Sequence, residues 1–224
     1  PGKTSQLEWR LFGIYYQDWR DVVKTDNRPA VLRLPDLDSI RLGTIGGHAI
    51  LATRTQAGTV DALLWGALQT GAWGNLDHGA GALAVEAGWQ PPVLPSIRPW
   101  LRAGFWHGSG DGNPLDGDHG TFFQILPTPR VYARFPFYNL MNIQDLFGQV
   151  MLRPHTAVTI RAEVHGLRLA ERNDLWYLGG GAFEPRSFGY IGRPGFGRRG
   201  LAALYDVSAD WRVSPALTLH AYFG

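Results

Sequence analysis

The chain has 224 residues, 45% of them apolar and 12% aromatic, and a formal net charge of +2, a balance that excludes a disordered segment and gives no basic footprint for nucleic acid. It has no cysteine, which excludes disulfides and thiolate metal sites. No run of about 18 uncharged apolar residues occurs, which excludes a transmembrane helix. The elements in chain order are strands. Period-2 alternation, the mark of a strand with two different faces, marks nine of them: 6–16, 39–54, 59–72, 82–90, 97–107, 143–153, 157–169, 201–213 and 217–224. It is clearest at 157–169, where Val158, Ile160, Ala162 and Val164 share one face and Thr159, Arg161, Glu163 and His165 the other. Residues 201–213 repeat it, Ala203, Tyr205, Val207, Ala209 and Trp211 alternating with Asp206, Ser208, Asp210 and Arg212. Most of these strands reach the roughly 9–11 residues that cross a bilayer at a tilt.

The connections carry more information than the strands. A long polar stretch, Asp18–Asp38, is followed by "TQAG" at 55–58; then come "GNLDHG" at 74–79 and the compact "PPVLPS" at 91–96. Gly108 to about Asn142 is followed by "PHT" at 154–156, and Glu171 to about Arg198 by "SPA" at 214–216. Larger and smaller connections alternate, as in up-and-down outer-membrane barrels with short periplasmic turns and long extracellular loops. A soluble sandwich has no reason to keep that parity. The fold expected is therefore all-β: an antiparallel up-and-down transmembrane β-barrel. Tryptophan placement agrees, with Trp9, Trp89, Trp100 and Trp211 toward the short-turn ends and Trp73 and Trp106 toward the long-loop ends, as two aromatic girdles would be. Nine is an odd number, and "LTLHAYFG" stops mid-strand. A barrel must close, because an open edge in lipid leaves backbone groups unsatisfied. Residues 1–224 are thus expected to be a single barrel domain and an incomplete, C-terminal portion of it.

Several motifs bear on chemistry. In "GSGDGNPLDGDHGTFFQILPT" (108–128), Asp111 and Asn113 fit the first two ligand positions of an EF-hand. Leu115 then stands at the third, Asp116 replaces the turn glycine, and Phe122 replaces the bidentate glutamate. A looser Ca²⁺ site on Asp111, Asn113, Asp116 and Asp118 is the one cofactor expectation. "GFGRRG" at 195–200 matches a dinucleotide pattern but precedes a strand and opens no helix, so that reading falls. Its arginines, with Arg193, leave a basic rim cluster of Arg193, Arg198 and Arg199. An enzyme would centre on His165, but no serine signature accompanies it, and a converging nucleophile–base set is required. No catalysis is expected. The inward faces combine both signs: Glu8, Arg10, Asp61, Glu86, Arg98, Arg102, Asp145, Arg153, Arg161, Glu163, His165, Asp206, Asp210 and Arg212. Lys3 and Lys24 are the only lysines, so 19 of the 21 basic residues are arginine, whose planar fork suits carboxylates. Rings of arginine favour anions in pores.

"GDGNPLDGDHGTFFQILPT", with "DLWYL" at 174–178 and "GLAALYDVSADWRVSPALTLHAYFG" at 200–224, resembles the bacterial alginate-export family of outer-membrane barrels. Gly110, Asp111, Asn113, Pro114, Asp116, Gly120, Thr121, Phe122, Pro127 and Thr128 stand in the family's first pattern. Asp174, Trp176 and Tyr177 stand in its second, and Gly200 and Asp206 in its third. There Leu204 occupies the place of the family's acidic residue. The resemblance implies a Gram-negative outer-membrane barrel of about eighteen strands, monomeric when complete, partnered by the lipid bilayer. It also implies passage of an anionic polysaccharide or small anionic solutes along Arg98, Arg102, Arg153 and Arg161. The alternatives are a general diffusion porin and a soluble periplasmic carbohydrate-binding β-protein.

Overall fold

A computed structural model describes residues 5–125, 138–179, 181 and 184–224. Its strands are β1 (Ser5–Asp18), β2 (Ile40–Thr55), β3 (Gly58–Trp73), β4 (Leu76–Gln90), β5 (Trp100–Gly108), β6 (Asp118–His119), β7 (Ile143–His155), β8 (Val158–Leu169), β9 (Leu175–Gly179), β10 (Tyr190–Pro194), β11 (Gly200–Ser214) and β12 (Leu217–Phe223); a single helical turn, α1, spans Ala30–Arg33. The order β1-β2-β3-β4-β5-β7-β8-β11-β12 is an unbroken meander of antiparallel neighbours. The short β6 pairs in parallel with the start of β4, and β9 and β10 form a separate hairpin. The nine expected strands are these nine. No helix among the described residues is long and apolar enough to cross a membrane; a barrel crosses with its strands. The sheet is not closed: β1 and β12 are its two ends.

Alternation sets the two faces. Along β4, Leu83, Val85, Ala87 and Trp89 point outward and are exposed, while Ala82, Ala84, Glu86 and Gly88 point inward and are buried. The register carries this parity across the sheet. Leu64 of β3 stands opposite Val85, which stands opposite Phe105 of β5, all outward. Leu7, Leu11, Ile45, Leu68, Leu146, Val164 and Val207 continue an exposed apolar face across the meander. A water-soluble monomer rarely exposes a contiguous apolar patch beyond a few hundred Å². Hydrocarbon is the solvent that makes such a face favourable.

Three expectations are corrected. "GNLDHG" is not a loop: Trp73 pairs with Leu76, so the turn is Gly74–Asn75 alone, with Gly74 at φ 64°, a left-handed geometry that favours glycine. The alternation of loop lengths therefore breaks between β3 and β4. Glycines at 79 and 81 hide the first half of β4 from pattern reading. Trp73 and Trp106 belong to no outer girdle. They point inward and are 0% and 4% exposed, whereas Trp9, Trp89 and Trp211 face outward at the short-turn end. Trp100 also points inward, its Nε1 donating to Asp61 at 2.9 Å. Third, β5 begins at Trp100, so Arg98 lies in the preceding turn, at φ 41°, rather than on a strand.

The apolar core lies between the inner face of the sheet and the long connections folded against it. One cluster joins Ala67, Ala84, Trp106, Phe122, Tyr138, Leu140, Ile143 and Leu167. The other joins Ile40, Leu42, Trp73, Phe123, Met141, Tyr177, Phe188 and Tyr190. Each draws residues from strands and from connections, so the loops fold together with the wall.

Candidate functional site

The inner wall is layered from the short-turn end to the long-loop end. At the short-turn mouth, Arg54, Arg98, Arg153 and Arg212 are all exposed. Strand parity points Arg54, Arg153 and Arg212 inward. Arg98 Nε donates to the Arg153 carbonyl at 3.3 Å, so these two stand side by side. None of the four has an ion-pair partner among the described residues. Sequence reading missed Arg54, which completes the arc.

Above the mouth the wall is a hydrogen-bonded ladder of mixed sign. Arg102 donates to Glu86 and, at 3.3 Å, to Gln149, and its guanidinium lies 5.0 Å from the Trp100 ring centroid. Gln149 donates to Glu163. His165 stands between Glu163, at 3.7 Å, and Asp145, whose Oδ2 is 3.0 Å from its Nδ1 and accepts the Tyr138 hydroxyl at 3.2 Å. On the next strands Arg161 pairs with Asp210, which also lies 2.8 Å from His220, and Tyr222 donates to Asp206 at 2.6 Å. Glu8 pairs with Arg10 at the exposed end of β1. Thus Arg102, Arg161, Glu163, His165, Asp206 and Asp210 are brought onto one wall. Its guanidinium groups are matched by carboxylates, because cross-strand neighbours of opposite sign stabilise a sheet whose inner face is charged.

The third layer is aromatic. Phe12, Trp65 and Trp106 form a row, Trp65 stacking on Trp106 at 5.3 Å between centroids. Phe122, from the connection between β5 and β7, meets both tryptophans edge-on. Gln69 secures the next residue from two sides: its Nε2 donates to the Phe123 carbonyl at 2.9 Å, and its Oε1 accepts the Phe123 N–H at 2.7 Å. A side-chain amide here does the work of a neighbouring strand. The segment after the acidic loop is therefore laid along the inner wall and narrows the space beside it. Pro127 and Thr128 of the same motif lie outside the described residues.

The fourth layer is a cap built from three connections. Asp174 is its hub, accepting from Asp111 N–H at 2.9 Å, Thr121 Oγ1 at 2.6 Å, Leu175 N–H at 2.6 Å and the Tyr177 hydroxyl at 2.8 Å. The two sequence patterns that looked separate thus meet at one carboxylate. Burial pushes the Asp174 carboxyl above its usual range, with the four donors pulling against it. Burial likewise pushes Asp111 up to about 6. A buried charge cluster ties down the connection between β1 and β2. Lys24 pairs with Asp36 at 3.2 Å, and Arg28 with Asp26 and Asp36 at 2.8 and 2.9 Å. Nothing in the pattern of residues 19–39 marked these side chains as buried.

The four residues considered for calcium do not converge. Asp111 is buried against the hub, while Asn113, Asp116 and Asp118 are exposed. Asp111, Asn113 and Asp116 each cap their own turn, accepting the N–H two residues on. No group of three or more His, Asp or Glu side chains that could hold a metal ion occurs among the described residues. The rim arginines also separate. Arg193 sits on β10 opposite Trp176, whereas Arg198 and Arg199 lead into β11, and Arg199 pairs with Glu171 at 3.5 Å.

A meander with an apolar outer face, a charged inner face and a cap on one rim is the wall of an outer-membrane transport β-barrel. The family comparison makes this specific. A model of the family described as Alginate export matches residues 3–222, and the chain belongs to that family. It is a transport family, not an enzymatic one. No curated protein and no solved structure matches the chain.

Proposed function

We propose that this chain forms part of the wall of an outer-membrane channel that passes an anionic polysaccharide or related anionic solutes, entering past the arginines of the short-turn mouth. The observation that carries the reading is the contrast along the inner face. Arg54, Arg98, Arg153 and Arg212 are exposed and have no carboxylate partner among the described residues, whereas Arg102 and Arg161 are matched by Glu86 and Asp210. Unpaired guanidinium groups at an opening attract a polyanion by field and by bidentate hydrogen bonds. A matched pair further in offers a contact that is made and released, which suits transit better than tight binding. Both edges of the sheet present unpaired backbone groups, which hydrocarbon does not tolerate. In the membrane those two edges must therefore be paired.

The matched charges favour a second reading, a diffusion porin without polymer specificity. Planar-bilayer recording on the full-length protein separates the two. For the polyanion channel, added oligouronate lowers conductance, and Arg153→Gln with Arg212→Gln reduces anion-over-cation preference about two- to threefold. Conductance indifferent to oligouronate, with selectivity unchanged in that variant, leaves the general porin.

A further inference from the structure

We propose that the outer surface around Arg168 is a docking site for a phosphorylated glycolipid of the outer leaflet, the headgroup held by arginines at the long-loop rim and one acyl chain by an adjoining groove. The inference rests on the outer-membrane reading above. Between the two rims, the outward positions of β5, β7 and β8 are Leu, Val, Ile, Ala, Phe or Gly with one interruption. That interruption is a single row across the three strands, Arg168, Gln144 and His107, which are consecutive partners in the register. They are joined by hydrogen bonds, Arg168 Nε donating to Gln144 Oε1 at 2.6 Å and Gln144 Nε2 lying 3.0 Å from His107 Nδ1. Arg168 is exposed. Charge on the lipid face of a barrel costs stability unless it sits near an interface, and this row is the last one before the long connections.

Each end of the row opens into a feature suited to a different part of one lipid. At the β8 end, Arg199 is adjacent, its carbonyl accepting the Leu169 N–H at 2.7 Å. Arg172 and Arg199 line a polar cleft of about 520 Å³, with Glu171 and Asn173. Arg198 is exposed beside it, as is Phe196, which is 88% exposed at the tip of its turn. An aromatic ring among arginines at this level suits a membrane–water boundary. At the β5 end, His107 borders an apolar outer groove of about 600 Å³ floored by Gly66 and walled by Leu68, Leu83 and Ile45. Guanidinium groups bind phosphate bidentately, and a groove floored by glycine admits an alkyl chain. The hydrogen-bonded row joins the two.

The test uses full-length protein in phosphatidylcholine nanodiscs containing either bisphosphorylated lipid A or the same lipid with its phosphates removed, with retained lipid counted by native mass spectrometry. Wild type retains the phosphorylated form about tenfold better. Arg168→Ala with Arg199→Ala abolishes that preference, and Arg168→Lys keeps part of it. At Gly66 a Cβ meets nothing nearer than 3.6 Å, and Gly66→Leu, which fills the groove, lowers retention of both lipids. Equal retention of the two lipids by wild type, or wild-type preference in the double alanine variant, overturns the site while leaving the channel reading intact. Failure of the wild type to insert, seen as the absence of heat-modifiable gel mobility, overturns both.

Discussion

The cap and the short-turn mouth hold the same residue types in opposite circumstances. In the cap, Lys24, Arg28, Asp26 and Asp36 have side chains no more than 4% exposed, and every charge has a partner. At the mouth, Arg54, Arg98, Arg153 and Arg212 are exposed and have no carboxylate partner among the described residues. A charge buried in protein is tolerable only when compensated, so the cap's charges act on one another and fix geometry. A charge left in water, without a partner, remains available to whatever passes. Burial and pairing, not residue type, separate the architectural guanidinium from the one proposed to meet the solute.

Substitutions can break this contrast or sharpen it. Asp36→Ala leaves the buried Lys24 without a carboxylate partner among the described residues and Arg28 with Asp26 alone, and should cost about 3–5 kcal/mol of cap stability. The cost is read as a lower thermal midpoint of the full-length protein in detergent. Arg212→Gln, by contrast, should stay within about 0.5 kcal/mol of wild type. Equal losses in the two variants would erase the distinction. Gln69→Ala removes both bonds to Phe123 and leaves a buried N–H and C=O without partners, worth about 2 kcal/mol. The segment at 121–125 should then leave the wall, raising single-channel conductance and its noise.

The smallest effect is a pH dependence at Asp111. Its folded carboxyl titrates at about 6, above the ordinary value of 3.8. Between those values the folded protein holds a proton that the unfolded chain releases, so stability from this group is present at low pH and lost as pH rises from about 4 to 6. His119, whose imidazole is held well below its usual value by burial, works in the opposite sense as pH falls below 6.5. The informative quantity is therefore a difference. Asp111→Asn should gain stability relative to wild type as pH rises through that window, and a pH-independent difference would rule out this titration.

What the sequence disclosed, and what it withheld, follows from the range of the forces involved. The nine strands were legible because period-2 alternation is local and is repeated on every strand that separates hydrocarbon from water. The family was legible because residues 110–128 and 174–177 carry dense, specific patterns. The roles of those residues were not. Asp174 looked like part of a signature and is a hub, since its partners Asp111 and Thr121 lie more than fifty residues away. Trp73 and Trp106 were misplaced because position along a strand was weighed without parity: each lies on the inward register, where the cap covers it. Gln69 gave no signal, because a side chain that stands in for a strand's backbone looks like any polar lumen residue.

The cap has a consequence for engineering. Its three connections are triangulated: Asn27 donates to the Asp111 carbonyl, Asp111 to Asp174, Thr25 to the Tyr190 carbonyl, and Tyr190 to the Gln124 carbonyl. A loop transplanted alone from a relative would arrive without its two counterparts and leave their donors stranded in a dry interior. Chimaeras that exchange all three connections as a set should assemble, and those that exchange one should not. The long-loop face of this wall is, in effect, a single part.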